Sequence, residues 1–145
     1  MVGSYTLSGF GGTSAIKVGE GRRMGASVLL VEDEPGIQLA IRGLLRREGY
    51  ETRVASSGSE AIALLSAEAF DLVLTDLSLP DGVNGLDLVR YVGKHQPGTP
   101  VILITAYGSE HIAKDAIEAG AFDYVPKPFN NDEIRAVIQR AIASR

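Results

Sequence analysis

Along residues 28–145, short apolar runs alternate five times with amphipathic stretches, and no other feature restricts the fold as strongly. The runs are "VLLV" (28–31), "ETRVA" (51–55), "FDLVLTD" (70–76), "PVILIT" (100–105) and "DYVP" (123–126). All are strand-sized, and the first, third and fourth are close to continuously apolar, as strands buried on both faces must be. Between them apolar residues recur at helical spacing. Ile37, Ala40, Ile41, Leu44 and Leu45 follow Pro35, and Gly49 ends that helix. A serine-rich start at 56–59 leads into Ala61, Leu64 and Leu65. Further helices are expected from about Gly85 to His95, from about Ser109 to Gly120, and from Asn131 through Ile134, Val137, Ile138 and Ala141. Pro35 suits a first helical turn, where the N–H it lacks would have no helical partner. Strict strand–helix alternation implies parallel pairing through right-handed helical crossovers. Five units are too few for a closed eight-stranded barrel. The expected architecture is α/β: a flavodoxin-like (βα)5 sandwich, with a parallel five-stranded sheet of order 2-1-3-4-5 and helices on both faces.

Residues 1–27 differ from the rest. They hold seven of the seventeen glycines, show no sustained period, and read as a flexible N-terminal extension ahead of one domain at 28–145. Lys17, Arg22 and Arg23 against Glu20 give this segment a net +2, so the remainder carries −6 of the overall −4. An acidic domain without a basic stripe is a poor binder of nucleic acid. No apolar run approaches the length of a membrane span, and no signal-peptide pattern opens the chain. The absence of cysteine excludes disulfides, thiolate metal sites and a cysteine nucleophile, and fits a cytoplasmic setting.

In a sheet of this order, ligands bind beyond the carboxyl ends of the strands, at the switch point between strands 1 and 3. There the first strand delivers Glu32 and Asp33, the third Asp76, the fourth Thr105 and the fifth Lys127; the edge strand delivers only Ser56. Crowded carboxylates need a compensating cation. Hard oxygen donors select Mg2+ or a similar ion, which prefers to share its shell with a phosphate. A hydroxyl and an ammonium facing such a site suit phosphoryl transfer. Neither a GxxxxGK[ST] loop nor a GxGxxG turn is present, so no nucleotide cradle is indicated.

The fragments "LLVEDE", "DLVLTDLSLP", "VILITA" and "DYVPKPF", in this order and at strand ends, resemble the receiver domain of two-component response regulators from Ser27 to about Arg140. The resemblance implies that Asp76 is the phosphoacceptor. It implies that Glu32, Asp33, Asp76 and the backbone carbonyl of Ser78 hold Mg2+, with Mn2+ as a substitute. Thr105 and Lys127 would bind the phosphoryl group, and Thr105 and Tyr124 would form the conformational switch. The Lys127–Pro128 bond is expected to be cis. The implied partner is a sensor histidine kinase or phosphotransfer protein. The implied dimer face comprises the fourth helix, fifth strand and fifth helix. Such a domain phosphorylates and dephosphorylates itself but is not a turnover enzyme.

Some residues depart from the pattern or have plainer explanations. "LPDGVNG" is one residue longer than the usual loop after the phosphoacceptor, a form familiar from receivers of hybrid kinases in phosphorelays. Ser78 and Tyr107 flank the expected water path and offer no general base, so an acyl phosphate that does not hydrolyse especially fast is expected; Tyr107 reads equally well as an ordinary loop aromatic. Asp81 reads as a turn residue, and Asn84 and Asp87 as a helix cap and its third position. His95 and His111 read as surface residues, and Arg42, Arg46 and Arg47 as a solvated helix face. Leu39, off the apolar stripe, is a candidate kinase contact. Two alternatives stand beside the receiver. A haloacid dehalogenase-type phosphatase needs an aspartate where Ser78 stands. A pseudo-receiver would act only as a docking module.

Overall fold

The computed structural model describes residues 25–106 and 109–145. Among them five strands and five helices alternate: β1 (Ser27–Val31), α1 (Pro35–Arg47), β2 (Glu51–Ala55), α2 (Gly58–Ala67), β3 (Leu72–Asp76), α3 (Gly85–His95), β4 (Val101–Thr105), α4 (Glu110–Glu118), β5 (Asp123–Pro126) and α5 (Asn131–Ser144). All pairings are parallel, in the order β2-β1-β3-β4-β5. The reading of residues 1–27 as an extension lies, for 1–24, outside the described residues, as does Tyr107. Ser27 already belongs to β1, paired with Glu51.

The period-2 alternation of each strand sends its side chains into two separate cores. Val28 and Leu30 of β1, Leu72 and Leu74 of β3, and Ile102 and Ile104 of β4 pack against Ile41, Leu44 and Leu45 of α1 and Ile134, Val137, Ile138 and Ala141 of α5. Leu29, Val31, Val73 and Leu103 face the other way, onto Ala61 and Leu65 of α2, Leu88, Val89 and Val92 of α3, and Ala116 of α4. Each fully buried Leu, Ile or Val adds about 1.5–3 kcal/mol over leaving it in water. β2 pairs on one side only and is largely exposed until Ala55, which accounts for its weaker apolar pattern.

Most helix boundaries follow the sequence. Asn84 caps α3 with a capping box: its side chain accepts from the Asp87 N–H at 2.9 Å, and Asp87 accepts from the Asn84 N–H at 3.0 Å. Asn84→Ala is therefore expected to cost about 1 kcal/mol. Urea unfolding checks this: the midpoint falls while the slope stays constant. Asp81 takes the left-handed turn conformation, φ 68°, followed by Gly82 at φ 78°. Asp is one of the few side chains that tolerate this region.

Two expectations need correction. Ala40 faces solvent; the buried face of α1 is Ile41, Leu44 and Leu45, with Ile37 at its margin, because the helix phase is set by these three large apolar side chains. α4 is shorter than 109–120: Ser109 only precedes it, without a side-chain cap, and Ala119 closes it before Gly120 at φ 119°.

Candidate functional site

The carboxyl ends of β1, β3, β4 and β5 open onto one cleft. Past the strand ends the ladder continues, with Glu32 N–H donating to Ala55 O (3.0 Å) and Lys127 N–H to Thr105 O (2.7 Å). These bonds fix both residues to the sheet rather than to free loops. Gln38 of α1 donates its amide to the Glu32 carbonyl at 2.8 Å and holds the β1–α1 turn. Asp76 ends β3 in register with Ile104, one residue before Thr105 on the neighbouring strand.

Lys127 Nζ stands amid three carboxylates. It donates to Asp76 Oδ2 at 3.0 Å and to Glu34 Oε1 at 3.4 Å, and lies 3.9 Å from Glu32 Oε1. Asp76 Oδ1 accepts from the Ser78 N–H at 3.2 Å. Glu32 and Thr105 have no exposed surface and Asp76 is 6% exposed, whereas Asp33 faces solvent. Burial therefore pushes the Glu32 carboxyl up to about 7; the neighbouring charges of Asp76 and Asp33 add to the rise, while the Glu34 N–H and Lys127 oppose it. Burial alone would lower the Lys127 ammonium, but its hydrogen bond to Asp76 and the surrounding acids outweigh that and raise it.

Carboxylate oxygens of Glu32, Asp33 and Asp76 lie within 4.8 Å of one another. Among the described residues, Glu32 Oε1 and Thr105 Oγ1 are the buried side-chain oxygens without a hydrogen-bond partner. Buried polar atoms are seldom left this way, and a bound ion is one of the partners that satisfies them. Three hard carboxylate oxygens, with Glu32 Oε1 left without a hydrogen-bond partner, fit a divalent cation of the Mg2+ type. Thr105 Oγ1 is a buried hydroxyl without a partner at the end of β4, the strand paired with that of Asp76. Ser78 is exposed, with its N–H, not its carbonyl, engaged on Asp76. Tyr124 is half-buried against the α2–α3 side of the core. The Lys127–Pro128 peptide is cis.

The cleft thus brings together Glu32, Asp33, Asp76 and Lys127, with Thr105 on the adjacent strand. Sequence reasoning passed over Glu34, the third acid of "EDE". The signal was available: an acidic residue directly before the helix-initiating Pro35, where a short capping residue is usual. His95 is exposed and stacks on Tyr91 with ring centroids 4.3 Å apart, and His111 is exposed as well. Neither approaches the cleft acids closely enough to join the cluster. Leu39 is the most exposed of the large apolar side chains among the described residues.

A doubly wound (βα)5 domain with an acid cluster and a lysine at its switch point defines a class of α/β domains that bind their ligands beyond the carboxyl ends of the strands. Comparison with known proteins narrows it. Residues 28–139 match the family described as response regulator receiver domain. The chain is 46% identical over 117 residues to the response regulator protein PilR of Pseudomonas aeruginosa, covering 81% of this chain and 26% of that protein. The receiver domain of NtrX from Brucella abortus superposes with a TM-score of 0.78 at 35% identity, covering 81% of this chain and 99% of that one. The receiver domain of the sensor histidine kinase PA1611 of Pseudomonas aeruginosa, solved with a magnesium ion in its active-site cleft, gives 0.73 at 31% identity, covering 82% and 98%. The chain belongs to the response regulator receiver domain family of two-component systems, and is a signalling module of that kind. It spans about a quarter of the length of the curated relatives it matches. Those relatives are regulators while a sensor-kinase receiver is among the solved neighbours, so the long β3–α3 loop does not sort this chain between the two settings. No described helix is long and apolar enough to cross a membrane.

Proposed function

We propose that the domain accepts a phosphoryl group on Asp76 from the phosphohistidine of a sensor histidine kinase or phosphotransfer protein, in a Mg2+-dependent reaction, and changes conformation in response. The observation that carries this reading is the Asp76–Lys127 contact, walled by Glu32 and Asp33, at the sheet's switch point. Glu32, Asp33, Asp76 and the Ser78 carbonyl would hold the cation, with Mn2+ as a substitute. When bound, the cation neutralises the carboxylates and the charge on the transferring group. A carboxylate oxygen of Asp76 attacks phosphorus in line. The new P–O bond forms as the P–N bond to imidazole breaks, and the electron pair stays on the ring nitrogen, which takes up a proton. Lys127 supplies a fixed positive charge to the phosphoryl oxygens, and Thr105 the donor that its orphaned hydroxyl has free.

The acyl phosphate hydrolyses again, so the domain is a switch and not a turnover enzyme. Drawing Thr105 toward the new oxyanion frees space for Tyr124, which carries the signal to the α4–β5–α5 face, the proposed homodimer surface. Taking such a two-state element from mostly off to mostly on needs roughly 5.5 kcal/mol of differential stabilisation. A new oxyanion shared by a cation, an ammonium and a hydroxyl is of the strength required. The proposed setting is cytoplasmic, without membrane insertion or direct nucleic-acid binding by this domain. Incubation with Mg2+ and acetyl phosphate should add one phosphoryl group by intact mass, and a chelator should prevent it. An unmodified mass in the presence of Mg2+ would favour the pseudo-receiver docking module instead.

A further inference from the structure

Glu34 occupies the N-cap position of α1 yet does not cap it. The N-cap residues of α2, α3 and α5, Ser57, Asn84 and Asn130, each accept a bond from the helix's third N–H. Such a cap is typically worth about 1 kcal/mol, so α1 forgoes a stabilisation that three of its neighbours take. The Glu34 side chain turns the other way. Its backbone N–H donates to Glu32 Oε2 at 3.1 Å, and its carboxylate meets Lys127 Nζ at 3.4 Å. Lys127 already has Asp76 at 3.0 Å and Glu32 at 3.9 Å, so Glu34 is a surplus partner for it. It also lies differently from the other two. Its side chain is 61% exposed against 0% for Glu32 and 9% for Asp76, so of the three acids around Lys127 it is the one whose charge is open to solvent.

We propose that Glu34 is a specificity-determining residue, whose carboxylate holds a share of Lys127 and places a negative charge across the entrance, so that the site selects against small, highly charged phosphoryl donors. The proposal rests on Asp76 being the phosphoacceptor. A free dianion approaching Lys127 meets the Glu34 carboxylate and must displace it from the ammonium. A donor of lower charge meets less repulsion. With acetyl phosphate the bond between phosphorus and the acetyl oxygen breaks, acetate leaves with the electron pair, and the Asp76 oxygen forms the new P–O bond; no further reactant is needed. Glu34 repels the donor and competes for the lysine without taking part in the exchange.

The test compares initial rates of phosphorylation of wild type, Glu34→Gln and Glu34→Asp, at Mg2+ concentrations shown by titration to saturate each. The donors are acetyl phosphate and the less highly charged phosphoramidate. Glu34→Gln is expected to gain roughly three- to tenfold with acetyl phosphate at low salt, as expected for removing one partly solvated charge a few ångströms from a dianion. The gain should be smaller with phosphoramidate and should shrink as salt screens the interaction. Glu34→Asp keeps the charge and should keep the discrimination between donors. An acetyl phosphate rate unchanged or lowered in Glu34→Gln, or a gain equal for both donors and indifferent to salt, overturns the proposal. If wild type takes no phosphoryl group at all, the phosphoacceptor reading fails and this proposal fails with it. A labelled wild type beside an unresponsive Glu34→Gln removes the Glu34 proposal alone.

Discussion

At pH 8 and free of divalent metal, Glu32→Gln should be more stable than wild type by up to about 3 kcal/mol. The Glu32 carboxyl has no exposed surface, and its burial raises its ordinary value of 4.5 to about 7. The folded state therefore binds this proton more tightly than the unfolded chain does. The corresponding stability is fully present below 4.5, and is lost as pH rises through 7. Lys127 does not disturb the window, because its ammonium is raised from an already high 10.5 and stays protonated throughout. Urea unfolding in chelator at several pH values between 4.5 and 8 checks this. The wild-type and Glu32→Gln curves should separate as pH rises, and Mg2+ added at pH 8 should recover much of the wild-type loss, because a cation among the three acids compensates the buried charge. Parallel curves would mean that Glu32 carries no such strain.

Gly85→Ala is expected to cost about 3 kcal/mol, at the upper end for overpacking, and to lower the thermal midpoint by roughly 10 °C. Gly85 opens α3, and its N–H donates to Leu77 O at 2.8 Å. A Cβ there would lie 2.6 Å from the Asp76 carbonyl oxygen and 2.9 Å from both Leu77 Cα and Leu103 Cδ2. Two of these three atoms are backbone, so relief requires moving the start of α3 or the end of β3, and with it the Asp76 carboxylate. Phosphorylation should slow together with the loss of stability. A thermal midpoint within a degree or two of wild type would show that the helix start has slack.

The alternation that defines the fold was legible because each strand and helix must hide an apolar face, and burial is what periodicity records. Asp76, Glu32, Asp33, Thr105 and Lys127 were legible for a second reason. Parallel strands all end on one edge, so polar residues at strand ends converge whatever the loops do. Helix phase and the contacts made by loops and helix ends were not legible in the same way. Ala40 matched the apolar stripe of α1 but is too small to set the helix phase against Ile41, Leu44 and Leu45. The long β3–α3 loop leans on the first turn of α2, with the Val83 carbonyl oxygen and side chain filling the space a Cβ at Gly58 would need. Nothing in the pattern of either segment announces that contact. Gln96 likewise reads as an ordinary residue at a helix end. Its amide donates to Leu65 O and Glu68 O and accepts from the Phe70 N–H, tying α3 to the end of α2. Glu34 offered only the hint of an unusual residue at a helix start, and its partner Lys127 lies 93 positions away in sequence, so the contact itself was not legible.

The central claim is that Asp76, and no other carboxylate of the "TDLSLPDGVNGLD" stretch, accepts the phosphoryl group. Borohydride reduction tests it most directly, because an acyl phosphate is reduced to an alcohol and leaves homoserine in place of the modified aspartate. After incubation with Mg2+ and acetyl phosphate, reduction, digestion and fragment sequencing by mass should find homoserine at position 76 alone, and Asp76→Ala should yield none. Homoserine at Asp81 or Asp87, or a signal undiminished in Asp76→Ala, would contradict the account.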